Sequence, residues 1–364
     1  MDNNQTQQLF FNHIKSKLPL HLFVVDEVAT LLNISNDSAY RRIRGEKPIG
    51  LDEVQMLCNK YHISLDQLLQ IQADTVIFSG NKFDNTFGLY EYLQDKCSNL
   101  ELFKMMEQPH LYYHNKDFPV FHYMQFPELA AFKFFFWKRT LTGNPELARQ
   151  QFNGEEPNTG VMETTKKIIG HYIQIPSTEI WNEESVHITI RQIEWYRQSN
   201  IFASKHILLK VYLQLEELLN HIELQAEAGK KFLHNKSVSN ESAPYDIYIN
   251  ECLIGDNTIF VKGGEKQVTY LNHNGLNFIA TQNKSFCDYT FKNLQNIIKK
   301  STHISVVGEK ERSMFFNTLR SKIYEHKKTS VKTCHNKLTF RYLINRFNTA
   351  GKHVECKGNA FIGN

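Results

Sequence analysis

The stretch VVDEVATLLNISNDSAYRRIRG, residues 24–45, reads as two short amphipathic helices joined by a tight polar break. In the first, Val25, Val28, Ala29 and Leu32 share one face at helical spacing. Asp26 and Glu27 take the wet face near the helix N-terminus, where the helix dipole favours acids. Asn33 tolerates a left-handed backbone, Ile34 plugs the angle between the helices, and Ser35 is a good N-cap for the second. From Asn36 to Arg44 only Ala39 and Ile43 are apolar, four residues apart, so this helix has a narrow buried stripe and a broad exposed face. That face carries Asn36, Asp37, Ser38, Tyr40, Arg41 and Arg44, with Lys47 just beyond, while Arg42 lies between the two sides. These side chains suit a DNA duplex: Arg can pair bidentately with guanine, Asn with adenine, and Tyr, Ser and Lys with phosphate oxygens. Gly45 closes the helix and Glu46-Lys47-Pro48 turns the chain away.

Outward from this pair, Leu51, Val54, Leu57, Cys58 and Tyr61 predict a third amphipathic helix, and Ser64 caps a short fourth through Leu69. Over residues 8 to 70 the chain resembles the lambda-repressor/Cro-type (xenobiotic-response-element) helix-turn-helix regulators. The matching elements are Glu27-Val28-Ala29, Leu32, Ile34-Ser35, the Arg41 to Gly45 exit, Pro48 and the closing His62 to Leu69. Asn33 departs from the pattern, where a glycine is common in the turn. The resemblance implies a small helical DNA-binding bundle that reads two half-sites of double-stranded DNA as a homodimer.

The 364 residues suffice for two or three domains, and 41% hydrophobic with 22% charged residues is an ordinary globular composition. Six cysteines, at positions 58, 97, 252, 287, 334 and 356, form no C-x-x-C pair, which excludes a zinc ribbon and fits a reducing cytoplasm. The first twenty residues lack a continuous apolar core, and the apolar run from Leu129 to Trp137 is too short to span a bilayer and is interrupted by Lys133, so no membrane partner is expected. Charge is uneven: residues 290–364 hold 15 Lys and Arg against 4 Asp and Glu, in a chain whose net charge is only +4. The local positive patch of the N-terminal unit is therefore Arg41, Arg42, Arg44 and Lys47, and DNA affinity should lean on dimerisation or on the basic C-terminal region.

The expected fold is mainly α: an N-terminal helix-turn-helix bundle over 1–75, an α-helical and possibly dimerising domain over 86–232, a small C-terminal α+β module with an antiparallel meander over 245–326 that could sense a signal, and a basic tail over 327–364. In the middle, Glu128 to Leu141 is a near-continuous apolar run that predicts a buried helix. Leu208, Leu215 and Ile222 recur every seven residues, with Val211 and Leu218 between, giving two heptads that suit a bundle core or a dimer seam. Residues 109 to 127 read as loop, and Lys230 to Pro244 as the clearest linker. Beyond it the period changes to two: Ile247-Tyr248-Ile249, Thr258 to Lys262, Gln267 to Leu271 and Leu276 to Thr281 predict strands, followed by a helix from Asp288 to Lys300, a strand from His303 to Val307 and a helix from Glu309 to Glu325.

His110 and His114 are four apart, but no acidic or cysteine partner stands at a fixed offset, so no metal site is assigned. No P-loop, G-x-G-x-x-G, H-E-x-x-H or G-x-S-x-G is present, so neither catalytic residues nor a cofactor are expected. The expectation is a cytoplasmic, dimeric, sequence-specific transcriptional regulator that responds to a small-molecule or protein effector. The alternative is a protein-interaction scaffold with a helix-turn-helix docking module.

Overall fold

The computed structural model describes residues 3–328 apart from 20, 70–74, 81–87, 156, 253–254, 256, 274 and 276. The chain divides into two compact units, Met1–Ile77 and Phe78–Asn364. The basic stretch from 329 onward lies outside the described residues.

Among the described residues, the N-terminal unit has five helices: α1 (Asn3–Lys17), α2 (Val24–Leu32), α3 (Asn36–Ile43), α4 (Leu51–Tyr61) and α5 (Leu65–Leu69). Phe10, Phe11 and Ile14 of α1 join Val28 and Ala29 of α2, Ala39 of α3 and Leu57 of α4 in one core. Val25, Leu32 and Ile43 pack against it half-buried, whereas Leu51 stands 86% exposed. The Lys17 ammonium donates to the carbonyls of Tyr61 (3.2 Å) and His62 (3.0 Å), occupying orphan acceptors at the end of α4.

Among the described residues, the C-terminal unit is built on one seven-stranded mixed sheet. In chain order it contains α6 (Leu89–Lys104), β1 (His110–His114), α7 (Val120–Tyr123), α8 (Pro127–Phe136), α9 (Thr159–Tyr172), β2 (Ser177–Trp181), α10 (His187–Gln198), α11 (Lys205–Ala228), β3 (Tyr245–Ile249), β4 (Thr258–Gly263), β5 (Lys266–His273), β6 (Asn277–Thr281), α12 (Lys284–Ile298), β7 (Thr302–His303) and a final helix α13 over 309–328. The strand order is β6-β5-β4-β1-β2-β3-β7. β1, β2 and β3 run parallel, β4 pairs antiparallel with β1, β5 and β6 continue the meander, and β7 pairs antiparallel with β3.

The sheet has two dressed faces. Leu111, Tyr113, Trp181, Tyr245 and Ile247 face a large core shared with α6 to α11 and α13. Tyr112, Ile180 and Phe260 meet Cys287 and Leu294 of α12 on the other side. The parallel strands β1 and β2 are short and buried along nearly their whole length, as strands covered by helical crossovers are, while β3 alternates buried and half-buried residues.

This sheet overturns the expectation of a mainly α chain with a helical middle and a small separate α+β module. β1 and β2 come from the middle of the chain and form the centre of the sheet to which β3 to β7 add. The polar stretch from Lys230 to Pro244 joins α11 to β3 within that one unit, and its Lys231 is fully buried. The heptad residues Leu208, Val211, Leu215, Leu218 and Ile222 of α11 are all buried in the core of their own unit, so that face is no free dimer seam. The helix predicted over Glu128 to Leu141 is present as α8, continued by a wider turn over Trp137–Leu141. It starts with Pro127 at its first position, where a missing N–H costs nothing.

Candidate nucleic-acid interface

The turn between α2 and α3 adopts the backbone that its residues favour. Asn33 sits at φ 51°, ψ 50°, in the left-handed region. The Ser35 hydroxyl accepts from the Ser38 N–H at 3.2 Å and caps α3. At the other end Gly45 takes φ 80°, stopping the helix after two turns.

Along α3, Asp37, Tyr40, Arg41 and Arg44 fall at i, i+3, i+4 and i+7 and are all exposed, forming one polar stripe. Ala39 is fully buried beneath them. Arg44 lays its guanidinium over the Tyr40 ring at 4.5 Å, which flattens both side chains along the helix. Arg41 and Arg44 lie 3.9 and 3.7 Å from the Glu46 carboxylate, loose pairs in full solvent that a stronger anion can displace. Lys47 is exposed just past the helix end. At eight residues the helix is about 12 Å long, comparable to the width of a B-DNA major groove.

The remaining predicted residues divide differently. Asn36 is exposed, yet its amide donates to the Asp26 carboxylate at 2.9 Å, tying the start of α3 to α2. Ser38 is half-buried, and its backbone carries the cap and accepts from Arg42. Arg42, ambiguous in the sequence, is buried and joined bidentately to Glu53 of α4 at 2.8 and 3.1 Å. The Glu53 carboxylate also accepts the Gly50 N–H at 3.0 Å, so one acid fastens α3 and caps α4. The Arg42 hydrogen bonds hold that carboxyl below its ordinary value, with the Gly50 N–H adding to the effect against the opposing pull of burial.

Helix α1 supplies contacts that sequence reading missed. The Gln7 amide donates to the carbonyls of Arg42 (2.6 Å) and Lys47 (2.8 Å) and accepts from the Ile49 N–H (3.1 Å). Gln8 donates to the Arg44 carbonyl at 2.9 Å. Two glutamines therefore add donors at the C-terminal end of α3, where the Arg42 carbonyl also accepts the Gly45 N–H at 3.0 Å, and fix the exit loop that carries Lys47. The available signal was the spacing of Phe10, Phe11, Ile14 and Leu18, one apolar face of a helix whose polar side starts at Gln7.

Residues 25–82 match the family model of the BetR domain. The match begins at α2, so α1 with its glutamine pins lies ahead of it. No curated protein and no solved structure matches the chain. The matched segment is a helix-turn-helix, DNA-binding-like domain and fits a DNA-binding regulatory role. Among the described residues, no helix is long and apolar enough to cross a membrane.

Proposed function

We propose that this protein is a cytoplasmic, sequence-specific transcriptional regulator of the lambda-repressor/Cro-like type that binds double-stranded DNA as a homodimer, with its C-terminal unit receiving the signal. The observation that carries the reading is the outward stripe of Asp37, Tyr40, Arg41 and Arg44 on a helix pinned at both ends by groups other than its own. Such rigidity suits base reading, because hydrogen bonds to base edges require a side chain held in register with the groove. In this reading Arg41 and Arg44 read bases, while Lys47 and Ser38 contact phosphates. Asp37 accepts from a cytosine amino group and Asn36 positions the helix start. No catalytic step is assigned to any of them.

A two-fold dimer would place two α3 helices about one helical turn of DNA apart. The buried face of α11 does not supply its contact. Selection of bound fragments from random duplexes by the full-length protein tests the proposal. The expected product is an inverted repeat whose affinity falls steeply with added salt. A pool with no enriched sequence at low salt would defeat it.

A further inference from the structure

A cavity of about 300 Å³ opens inside the C-terminal unit, between the β1-β4-β5 part of the sheet and helices α6, α7 and α8. Its wall is dominated by rings, among them Tyr92, Phe103, Phe121, Phe136, Trp137 and Tyr270. A volume of this size with apolar walls and a few convergent polar groups is the usual form of a small-molecule site.

Polar lining residues include Tyr113, Tyr123, Asp117 and Gln192, beside Lys96 and Lys116. Tyr113 of β1 and Tyr123 of α7 both line the cavity and are each 4% exposed, and their hydroxyls have no hydrogen-bond partner among the described residues. The acceptor nearest in character, the Asp117 carboxylate, is already engaged. Its Oδ1 accepts from the Thr189 hydroxyl (3.0 Å) and the Phe118 N–H (2.8 Å), and its Oδ2 from the buried Lys133 ammonium (3.1 Å). Lys133 in turn donates to Gln192, another lining residue, at 2.9 Å. The Asp117 carboxylate and Lys133 ammonium cancel, the lining Lys96 is paired with Asp95 at 3.0 Å and the lining Lys116 is exposed, so the tyrosine end presents no unbalanced buried charge to a ligand. Burial, with Asp117 adding to it, pushes both tyrosines well above their ordinary value, which keeps them as neutral donors. Both tyrosines line the cavity, so their hydroxyls can donate to a ligand oxygen or nitrogen placed there.

We propose that this cavity binds a compact, uncharged aromatic molecule that stacks among the rings and presents a hydrogen-bond acceptor to the hydroxyls of Tyr113 and Tyr123. The role of such a molecule as an effector rests on the regulator reading above, whereas its binding does not.

Prodan, a neutral naphthalene carrying a ketone, is a suitable probe for the full-length protein. Saturable one-to-one binding with a blue-shifted emission is expected, together with quenching of tryptophan emission, since Trp137 lines the site. Tyr113→Phe and Tyr123→Phe together should weaken prodan about tenfold, as expected for the loss of hydrogen bonds to one acceptor. The same change should leave 2-dimethylaminonaphthalene, which lacks the ketone, unaffected. Ile188→Trp, which fills the half-buried lining of the cavity, should abolish binding of both probes. Non-saturable binding, or equal affinity for prodan in wild type and the double phenylalanine variant, would overturn the proposal and leave water as the partner of the tyrosines. Should the tryptophan variant fail to fold, the near-isosteric phenylalanine pair still decides. Because no DNA enters the assay, retained prodan binding in a protein that selects no DNA would defeat the regulator reading alone.

Discussion

At the scale of single residues the interface depends on which arginine is buried. Arg42 is the buried one, and its bidentate pair with Glu53 leaves Arg41 and Arg44 outward. Arg42→Ala removes three hydrogen bonds and strands a half-buried acid, so it should destabilise the N-terminal unit by about 2 to 3 kcal/mol, read as faster amide exchange in α3 and α4. Slow exchange retained in the variant would show that the pair contributes little. Because the Glu53 carboxyl lies below its unfolded value of 4.5, the pair's contribution is complete above that pH and is lost as pH falls beneath it. The turn residue makes a second test. Asn33→Ala places a methyl group at φ 51° and should cost about 1 kcal/mol, whereas Asn33→Gly should be near neutral. Equal stability of the two variants would mean that the left-handed turn carries no strain.

At the scale of elements, α3 is a short helix whose ends are satisfied from outside. Ser35 caps the start, and Gln7 of α1 bridges the Arg42 and Lys47 carbonyls and the Ile49 N–H at the finish. Gln7→Ala should therefore expose the exit loop, raising amide exchange at Ile49 and lowering stability by about 1 to 2 kcal/mol. An unchanged exchange rate at Ile49 would remove Gln7 from the pinning role. The helix-turn-helix elements were legible because each carries its own period, cap and stop signal. Strand β3 and the meander strands β4 to β6 were legible for a similar reason, since alternation and turn residues mark them. β1, HLYYH, and β2, STEIW, were not: both are buried along nearly their whole length, so no alternation shows, and they carry His, Glu and Ser where a core strand is expected to be aliphatic. Those polar residues are affordable because their partners lie far away in sequence. Glu179 of β2 accepts from Tyr172, Trp181, Tyr245 and His122, and His110 of β1 bonds Thr178.

At the scale of the molecule, the hidden strands decide the architecture. Missing them turned one α/β unit into two modules; of the two roles the heptads of α11 suited, bundle core or dimer seam, the structure shows the first. The same buried polar centre predicts how the C-terminal unit responds to pH. Burial raises the Glu179 carboxyl, but His122 beside it and the hydrogen bonds from His122 and Tyr172 outweigh that and bring it to about 2. Lys231, its ammonium donating to the carbonyls of Tyr172 and Ile175, is lowered by burial to about 7. The first shift makes stability fall as pH drops from about 4.5 towards 2. The second makes it rise from about 7 to 10.5, because over that window the unfolded chain holds a proton that the folded one has released. All three tryptophans lie in this unit, so thermal unfolding followed by tryptophan emission reports it, and Lys231→Met should flatten the alkaline rise alone. A midpoint independent of pH between 7.5 and 10 in the wild type would contradict the burial of that ammonium.

The central claim is that the outward stripe of α3 reads a duplex. It is tested most directly by titrating the fragment selected by the wild type with full-length Arg41→Ala and Arg44→Ala proteins at one fixed salt concentration. The account predicts a loss of about 1 to 3 kcal/mol for each, with relaxed preference at the base pair that each arginine contacts. Undiminished affinity and unchanged sequence preference in both variants would contradict it.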